Sequence, residues 1–314
     1  MAVEQVCENI YRIGVPLPGR SAVQAACYLV RSAAGARHLL VDTAPLGDAW
    51  EHETRDALAS LGVRMEDTDI FLTDRSPAHS GLCDRLRTPA TRVYCGAGGT
   101  FTATAAWLKT LGAPAEQHLA PHAFSVYAQE DTLPTDCIAV QDGARFEAGG
   151  YHWEAVDLAG HTSDLIGLWA REPGILLCGD HILASITPHI GVWGDGNDAL
   201  GIYLRNLRKV RTMHIRRLMP AHGPLVENVD ARIEQLLAHH ARRCDSICTL
   251  LDEWGEGTVW QLAHALHWDC DAEVLNAQLP LALLETSAHL EHLCRMEKLA
   301  CDMRGGVSFY RVQH

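Results

Sequence analysis

Residues 73–81 read Thr73-Asp74-Arg75-Ser76-Pro77-Ala78-His79-Ser80-Gly81, directly after the short apolar run Ile70-Phe71-Leu72. Three segments downstream repeat the arrangement. Ala159-Gly160-His161-Thr162-Ser163 follows Ala155-Val-Asp-Leu158, and Cys178-Gly179-Asp180-His181 follows Ile175-Leu-Leu177. The last, Met219-Pro220-Ala221-His222-Gly223, completes the run that opens with Arg217-Leu218. A strand end fixes the direction of a side chain, and the loops there commonly carry functional groups. Imidazole and carboxylate together suit zinc, iron or manganese. Glycines beside His161, Asp180 and His222 let backbone approach closely where ligands converge.

The sequence around these segments predicts the scaffold. Short β-type runs at Asn9–Gly14, Ala26–Arg31 and His38–Asp42 are broken by Gly14, Pro16, Pro18 and Gly19. Helical spacing follows over 48–62, with Trp50, Leu58 and Leu61 on one face and Gly62 past its end. Residues 69–73 read as a short buried strand. Further helices are expected over 101–112 and 200–213, and strands near 137–140, 151–158, 165–170 and 174–178. Strands that first meander and then alternate with helices imply mixed sheets with helices on their outer faces.

The pattern changes near Pro224. Residues 227–253 predict one long amphipathic helix with Ile233, Leu236, Leu237, Ile247, Leu250 and Leu251 as its apolar stripe. Thr258 is the expected N-cap of a short helix ending at Leu266. A helix over about 281–299 and a final strand over 307–312 complete a helical, winged-helix-like unit. The expected division is therefore 1–224 and 225–314. Residues 225–314 hold seven Lys/Arg against fourteen Asp/Glu. A DNA-reading wing should be basic, so this unit is read as a packing or lid domain.

Composition narrows the function classes. The 314 residues include 26 Lys+Arg and 39 Asp+Glu, a formal charge of −13. An acidic surface repels phosphate backbones, which argues against nucleic acid as a partner. No apolar run approaches the roughly 20 residues of a membrane span, so no membrane partner is expected. The N-terminal residues lack the basic start and apolar stretch of an export signal, so the expectation is cytoplasmic. The eleven cysteines are odd in number and include no Cys-x-x-Cys pair, and they read as small buried hydrophobes. Gly96-Ala97-Gly98-Gly99 lacks the context of a phosphate loop and reads as a turn. No Gly-x-Ser-x-Gly elbow of a serine hydrolase occurs.

In this order and context, the four segments resemble the metallo-β-lactamase superfamily. Leu39-Leu40-Val41-Asp42-Thr43 is similar to that family's strand ending in an Asp-Thr-Gly-type turn, and Gly179-Asp180-His181-Ile182-Leu183 with Ile186-Thr187-Pro188 is also similar. The resemblance covers essentially the whole chain. It implies an α+β fold, an αββα sandwich with the C-terminal helical winged-helix-like domain of the glyoxalase II-related branch.

The first motif departs from the family pattern His-x-His-x-Asp-His, whose four places fall here on Asp74, Ser76, Ala78 and His79. The resemblance implies metal ligands at His79, His161, Asp180 and His222, with Asp180 bridging and Asp74 a gained candidate. His79, Asp180 and His222 suffice for one open site, and Asp74, His161 and Asp180 could make a weaker, oxygen-rich one. The implied cofactor is one or two ions of zinc, iron or manganese. Lewis-acid activation of water needs only one. The family's motif Asp orients the attacking hydroxide, and Ala78 removes that role.

The function implied is a divergent metal-dependent hydrolase of an ester, thioester or similar small acyl substrate, with a metal-bound water as nucleophile. The alternative is a catalytically inactive relative that binds a small ligand or partner. A small-molecule substrate is the expected partner, and a homodimer is left open. The same residues have purely structural readings. His79 could cap a helix following Gly81, Asp180 and His222 could form a buried hydrogen-bonded couple, and Asp74-Arg75 could pair locally or with a histidine. His181, His189, His214, His239 and His240 read as surface or packing residues, and Trp193 and Tyr203 as loop packing.

Overall fold

A computed structural model of the chain describes residues 2–15, 25–99, 103–114, 116–124, 136–269 and 272–313. Pro16, Pro18 and Gly19, expected at a break, lie outside them, as do the first two residues of the helix expected over 101–112.

Seven strands form the first sheet in chain order: β1 (Ala2–Cys7), β2 (Ile10–Val15), β3 (Ala25–Val30), β4 (His38–Val41), β5 (Thr68–Leu72), β6 (Val93–Gly96) and β7 (Ile138–Val140). The first four run as an antiparallel meander, whereas β4 to β7 are parallel. The second sheet contains β8 (Arg145–Ala148), β9 (Tyr151–Asp157), β10 (Ile166–Ala170), β11 (Ile175–Gly179) and β12 (Arg217–Pro220). Its order is β12-β11-β10-β9-β8, with β12 parallel to β11.

Strand alternation explains the layering. Leu39, Val41 and Phe71 face Trp153, Leu168 and Leu177 in the core between the sheets. Their neighbours Leu40, Ile70 and Leu72 point to the opposite face. There they are covered by Leu58 of helix α1 (Asp48–Ser60), by Leu82, and by Cys83 and Leu86 of helix α3 (Cys83–Leu86). Helix α2 (Pro77–Ser80) is a single turn between β5 and α3. With helices on one face and a sheet on the other, both faces of these strands are dry. They therefore read as continuous apolar runs. On the outer face of the second sheet, Val156, Leu158, Leu176 and Leu218 pack on Leu200, Tyr203 and Leu207 of helix α5 (Ala199–Arg211). The result is the αββα sandwich expected from sequence. Helix α4 (Ala105–Thr110) is shorter than predicted, with Thr104 as its N-cap.

The two sheets are tied together where the site segments emerge. Ala26 N–H donates to Ala221 O at 2.7 Å, Ile166 N–H donates to Thr73 O at 2.8 Å, and Ala25 bridges His222.

Helices α6 (Val229–Trp254), α7 (Val259–Ala265), α8 (Ala272–Ala277) and α9 (Leu279–Arg295) follow, then the hairpin β13 (Leu299–Arg304) and β14 (Val307–Val312). Thr258 caps α7 in a reciprocal capping box with Gln261. The helix expected to reach 299 stops at Arg295, because Glu297 adopts a left-handed φ of 58° and the chain turns into β13. The apolar cores run across residue 224. Ile233 and Leu236 of α6 join the outer layer of the second sheet, while Ile247 and Leu251 pack with α7 and α9 and with Leu108 and Leu111. Among the described residues, no helix is long and apolar enough to cross a membrane.

Candidate metal centre

Strands β5, β9, β11 and β12 end at one side of the sandwich and deliver the site segments there. His79 comes from α2, just beyond β5; Asp180 follows β11 directly; His222 lies two residues past β12. One donor atom from each of these three residues lies within 4.8 Å of the others. Gly179 adopts a φ of +54°, and a Cβ there would come within 2.6 Å of Thr73 Oγ1. A glycine is therefore required immediately before Asp180 for both conformation and space.

The histidines are oriented through one ring nitrogen each. His79 Nδ1 lies 3.1 Å from Thr73 Oγ1, which itself donates to Asp42 at 2.8 Å. Thr73 can then only accept from His79, which places a proton on Nδ1, while Nε2 faces Asp180 Oδ2 at 3.4 Å. Nε2 is buried, with the Asp180 carboxylate its charged neighbour. His161 Nδ1 donates to His189 O at 2.7 Å, and its Nε2 stands 3.7 Å from Asp180 Oδ2. His222 Nδ1 contacts both Asp180 oxygens, at 2.7 and 2.9 Å.

The charges are tightly interlocked. Burial opposes the imidazolium of His79, yet Asp74, Asp42 and Asp180 together hold it well above its ordinary value. Burial also opposes the Asp180 carboxylate, but His222 and His79 hold it well below the usual range. Burial pushes Asp42 up to about 6, with His79 working the other way. In the absence of a cation this is a self-compensating cluster of acids and imidazoles.

Not every expected residue enters the group. Asp74 lies on the other side of the His79 ring, its Oδ2 3.3 Å from Nδ1 and its Oδ1 accepting from Ser76 N–H at 2.7 Å. It backs His79 instead of lining the group, and an oxygen-rich second site of Asp74, His161 and Asp180 is not assembled. His161 stands beside the three-residue group without belonging to it. His79 does not cap a helix after Gly81, since it sits inside α2.

Arg75 pairs neither with Asp74 nor with a histidine. Its Nε donates to Asp164 Oδ2 at 2.9 Å, and Nη2 donates to Gly98 O. The Gly96–Gly98 turn lies against the Asp164 backbone so closely that a Cβ at Gly96 would collide with Asp164 O. The stretch read as a turn is therefore a seat for the loop carrying His161.

Sequence reasoning assigned no site role to Asp42, Thr73 or Asp164, and read His189 as a surface or packing residue. Asp42 and Thr73 carry the same signal as the others, a polar residue ending an apolar strand. Asp164 and His189 have no sequence signal, because their contacts span 89 and 28 residues respectively. His181 and Tyr203 are fully buried, with Tyr203 donating to His181 O at 3.0 Å. Both pack the fold, as expected, and His240 is buried as well.

No family model matches the chain. It is 25% identical to the probable metallo-hydrolase YqjP of Bacillus subtilis, over 97% of this chain and 98% of that protein. It is 25% identical to the atrochrysone carboxyl ACP thioesterase AgnL7 of Paecilomyces divaricatus, over 80% of this chain and 67% of that one. The match to the β-lactamase-like protein 2 homolog of Caenorhabditis elegans, at 28% identity, spans 50% of this chain and about half (49%) of that relative. Among solved structures, a metallo-β-lactamase family protein from Thermus thermophilus superposes with a TM-score of 0.79. That superposition has 24% identity and covers 98% of this chain and 100% of the other. The chain thus has the fold of the metallo-β-lactamase proteins, and end to end its sequence is similar to that of a probable metallo-hydrolase.

Proposed function

We propose that the chain is a hydrolase of an ester, thioester or similar small acyl substrate, working with a single divalent metal held by His79, Asp180 and His222. The convergence of these three side chains carries the reading. Two imidazoles and one carboxylate form a recognised ligand set that leaves positions open for water and substrate. The buried Nε2 of His79 faces Asp180 Oδ2 at 3.4 Å, and a cation bound there would displace the imidazolium proton and take both atoms as ligands. Relatives named as a metallo-hydrolase and as a thioesterase favour the same chemistry.

When bound, a divalent cation would polarise the acyl carbonyl and make water a competent nucleophile near neutral pH. The protein's own contribution is orientation. Thr73 and Asp74 fix the His79 ring from behind, and His189 O fixes His161 at the margin of the site. Ala78 supplies no carboxylate to orient the nucleophile, so Asp180 must both bind the cation and direct the water. That double duty predicts a slower enzyme than relatives with a complete first motif.

The test is metal analysis of protein purified without an affinity metal, beside the His222→Ala variant. An ester and thioester screen accompanies it. About one equivalent of metal, lost in the variant together with hydrolysis, is expected. Metal-free protein that stays inactive after reloading would overturn the proposal.

A second reading, a non-catalytic relative binding a small ligand or partner, is favoured by the 2.7 Å Asp180–His222 contact and by the three carboxylates around His79. It predicts no stoichiometric metal and a melting temperature indifferent to chelator.

A further inference from the structure

The chain that follows Asp180 is held along its course by the C-terminal helices. Arg232 of α6 donates through Nε to Leu183 O at 2.6 Å and through Nη2 to Ile186 O at 2.7 Å. Farther on, His189 Nε2 lies 2.9 Å from Leu281 O, in the first turn of α9. A carbonyl oxygen only accepts, so the ring nitrogen is the donor. The backbone carbonyl of the same residue accepts from His161 Nδ1 at 2.7 Å. His189 therefore joins α9 by its side chain to the His161 ring by its backbone. Gly191 makes room for this: a Cβ there would come within 2.9 Å of His189 Cε1 and 3.2 Å of Leu284 Cβ.

We propose that His189 is a positioning residue, through which helix α9 sets the orientation of the His161 imidazole. His161 Nε2 stands 3.7 Å from Asp180 Oδ2, and the His161 side chain is 11% exposed. Because Nδ1 donates to His189 O, the neutral ring carries its proton there and offers Nε2 to the site. Partners that fix the tautomer and angle of an imidazole beside a metal are worth about 10–100-fold in metal affinity or activity. Here the acceptor is a loop carbonyl, and a loop carbonyl is only as fixed as the loop. The Leu281 bond supplies that fixity at residue 189, and the Arg232 bonds supply it upstream. Apolar packing against Leu284 fills the space without the directionality of a hydrogen bond. The consequence for catalysis rests on the hydrolase reading, whereas the orientation of His161 does not.

The experiment uses the full chain, metal-free and isotope-labelled at its histidine nitrogens. Long-range proton–nitrogen correlation at about pH 8 reads the tautomer of each ring, and His161→Ala identifies the His161 signals. In wild type, His161 should be protonated at Nδ1, with that proton slow to exchange. His189→Ala should speed the exchange about tenfold and populate both tautomers. His189→Gln, whose side-chain amide can donate to Leu281 O, should restore the wild-type pattern. Gly191→Ala, which crowds the ring with His189 in place, should loosen His161 as His189→Ala does. A folded His189→Ala protein with His161 unchanged would overturn the proposal. So would a His189→Gln variant no better than His189→Ala, because the ring would then serve packing alone. In metal-loaded protein, His189→Ala should lower kcat about tenfold with KM within about twofold of wild type, and His189→Gln should recover it. Wild type that takes up no metal and hydrolyses nothing would refute the hydrolase reading and leave the tautomer result to decide the role of His189.

Discussion

Arg75 and Asp164 are the informative pair to perturb, because together they join the loop after β5 to the loop carrying His161. The Asp164 side chain is 6% exposed and that of Arg75 22%, with Nε and Oδ2 2.9 Å apart. Arg75→Ala removes a charge-assisted hydrogen bond worth about 1.5–3 kcal/mol and leaves a buried carboxylate without its cation. Breaking such a pair costs about 3–5 kcal/mol. The low end, about 3 kcal/mol, applies here. Asp164 keeps the Arg75 backbone N–H as a partner, at 3.2 Å.

The pH dependence follows from the sign of the shift. Burial already raises Asp164 above its ordinary value, and Arg75 opposes that rise. Without Arg75 the folded-state value climbs further, so the charged form disfavours folding as pH increases. The loss should therefore be larger at pH 8 than at pH 5. Urea unfolding of wild type, Arg75→Ala, Asp164→Ala and the double variant gives the coupling energy directly. A value of about 2 kcal/mol is expected. A coupling below about 0.5 kcal/mol, independent of pH, would be that of an exposed ion pair and would refute the reasoning.

Three other perturbations test separate parts of the structure. His289 Nδ1–H donates to Glu285 O at 2.8 Å, and its Nε2 lies 3.1 Å from His240 Nδ1, so the stacked pair is buried in the neutral form. Burial pulls His289 from 6.5 down to about 3. The unfolded chain binds the proton more readily between those values, so stability falls as pH drops below 6.5, by about 2 kcal/mol at pH 5 from this residue. His289→Leu should flatten that slope in urea titrations at pH 5 and 8, and an unchanged slope would place the acid sensitivity elsewhere. Gly179→Ala forces a Cβ toward Thr73 at a left-handed φ; calorimetry should show a loss of about 2 kcal/mol or more, and metal content should fall with it. Thr258→Ala removes the α7 capping box and should cost about 1 kcal/mol in urea unfolding while leaving metal content unchanged.

How far the sequence discloses this molecule depends on what each residue needs from its surroundings. Helix α6 is legible because an apolar stripe and a local cap define it, and Thr258 with Gln261 is legible because a capping box is three residues long. The strands of the inner layers are legible as apolar runs. β1 and β13 are not, since most of their side chains are exposed and no alternation marks them. The stop of α9 at Arg295 escapes notice because Glu297, and no glycine, takes the left-handed turn. At the site, His79, His161, Asp180 and His222 announce themselves at strand ends. The position of Asp74 behind the His79 ring does not, because it depends on which ring nitrogen meets which carboxylate. The partnership of Arg75 with Asp164 is likewise invisible until the two loops are folded together.

The backbone bonds joining Ala26 to Ala221 and Ile166 to Thr73 make the sandwich a book with a bound spine, and the spine runs beneath the candidate centre. Pages held at one side can part only at the other. Thermal breathing of the two sheets is therefore greatest away from the site and smallest where His79, Asp180 and His222 must keep their spacing. The amide protons of Ala26 and Ile166 should be among the last in the molecule to exchange with solvent, released only by global unfolding. Loops around the spine can vary in length and composition without loosening the page edges that carry His79, Asp180 and His222. A scaffold bound in this way can carry Ser76 and Ala78 beside the group and still hold His79, Asp180 and His222 in register.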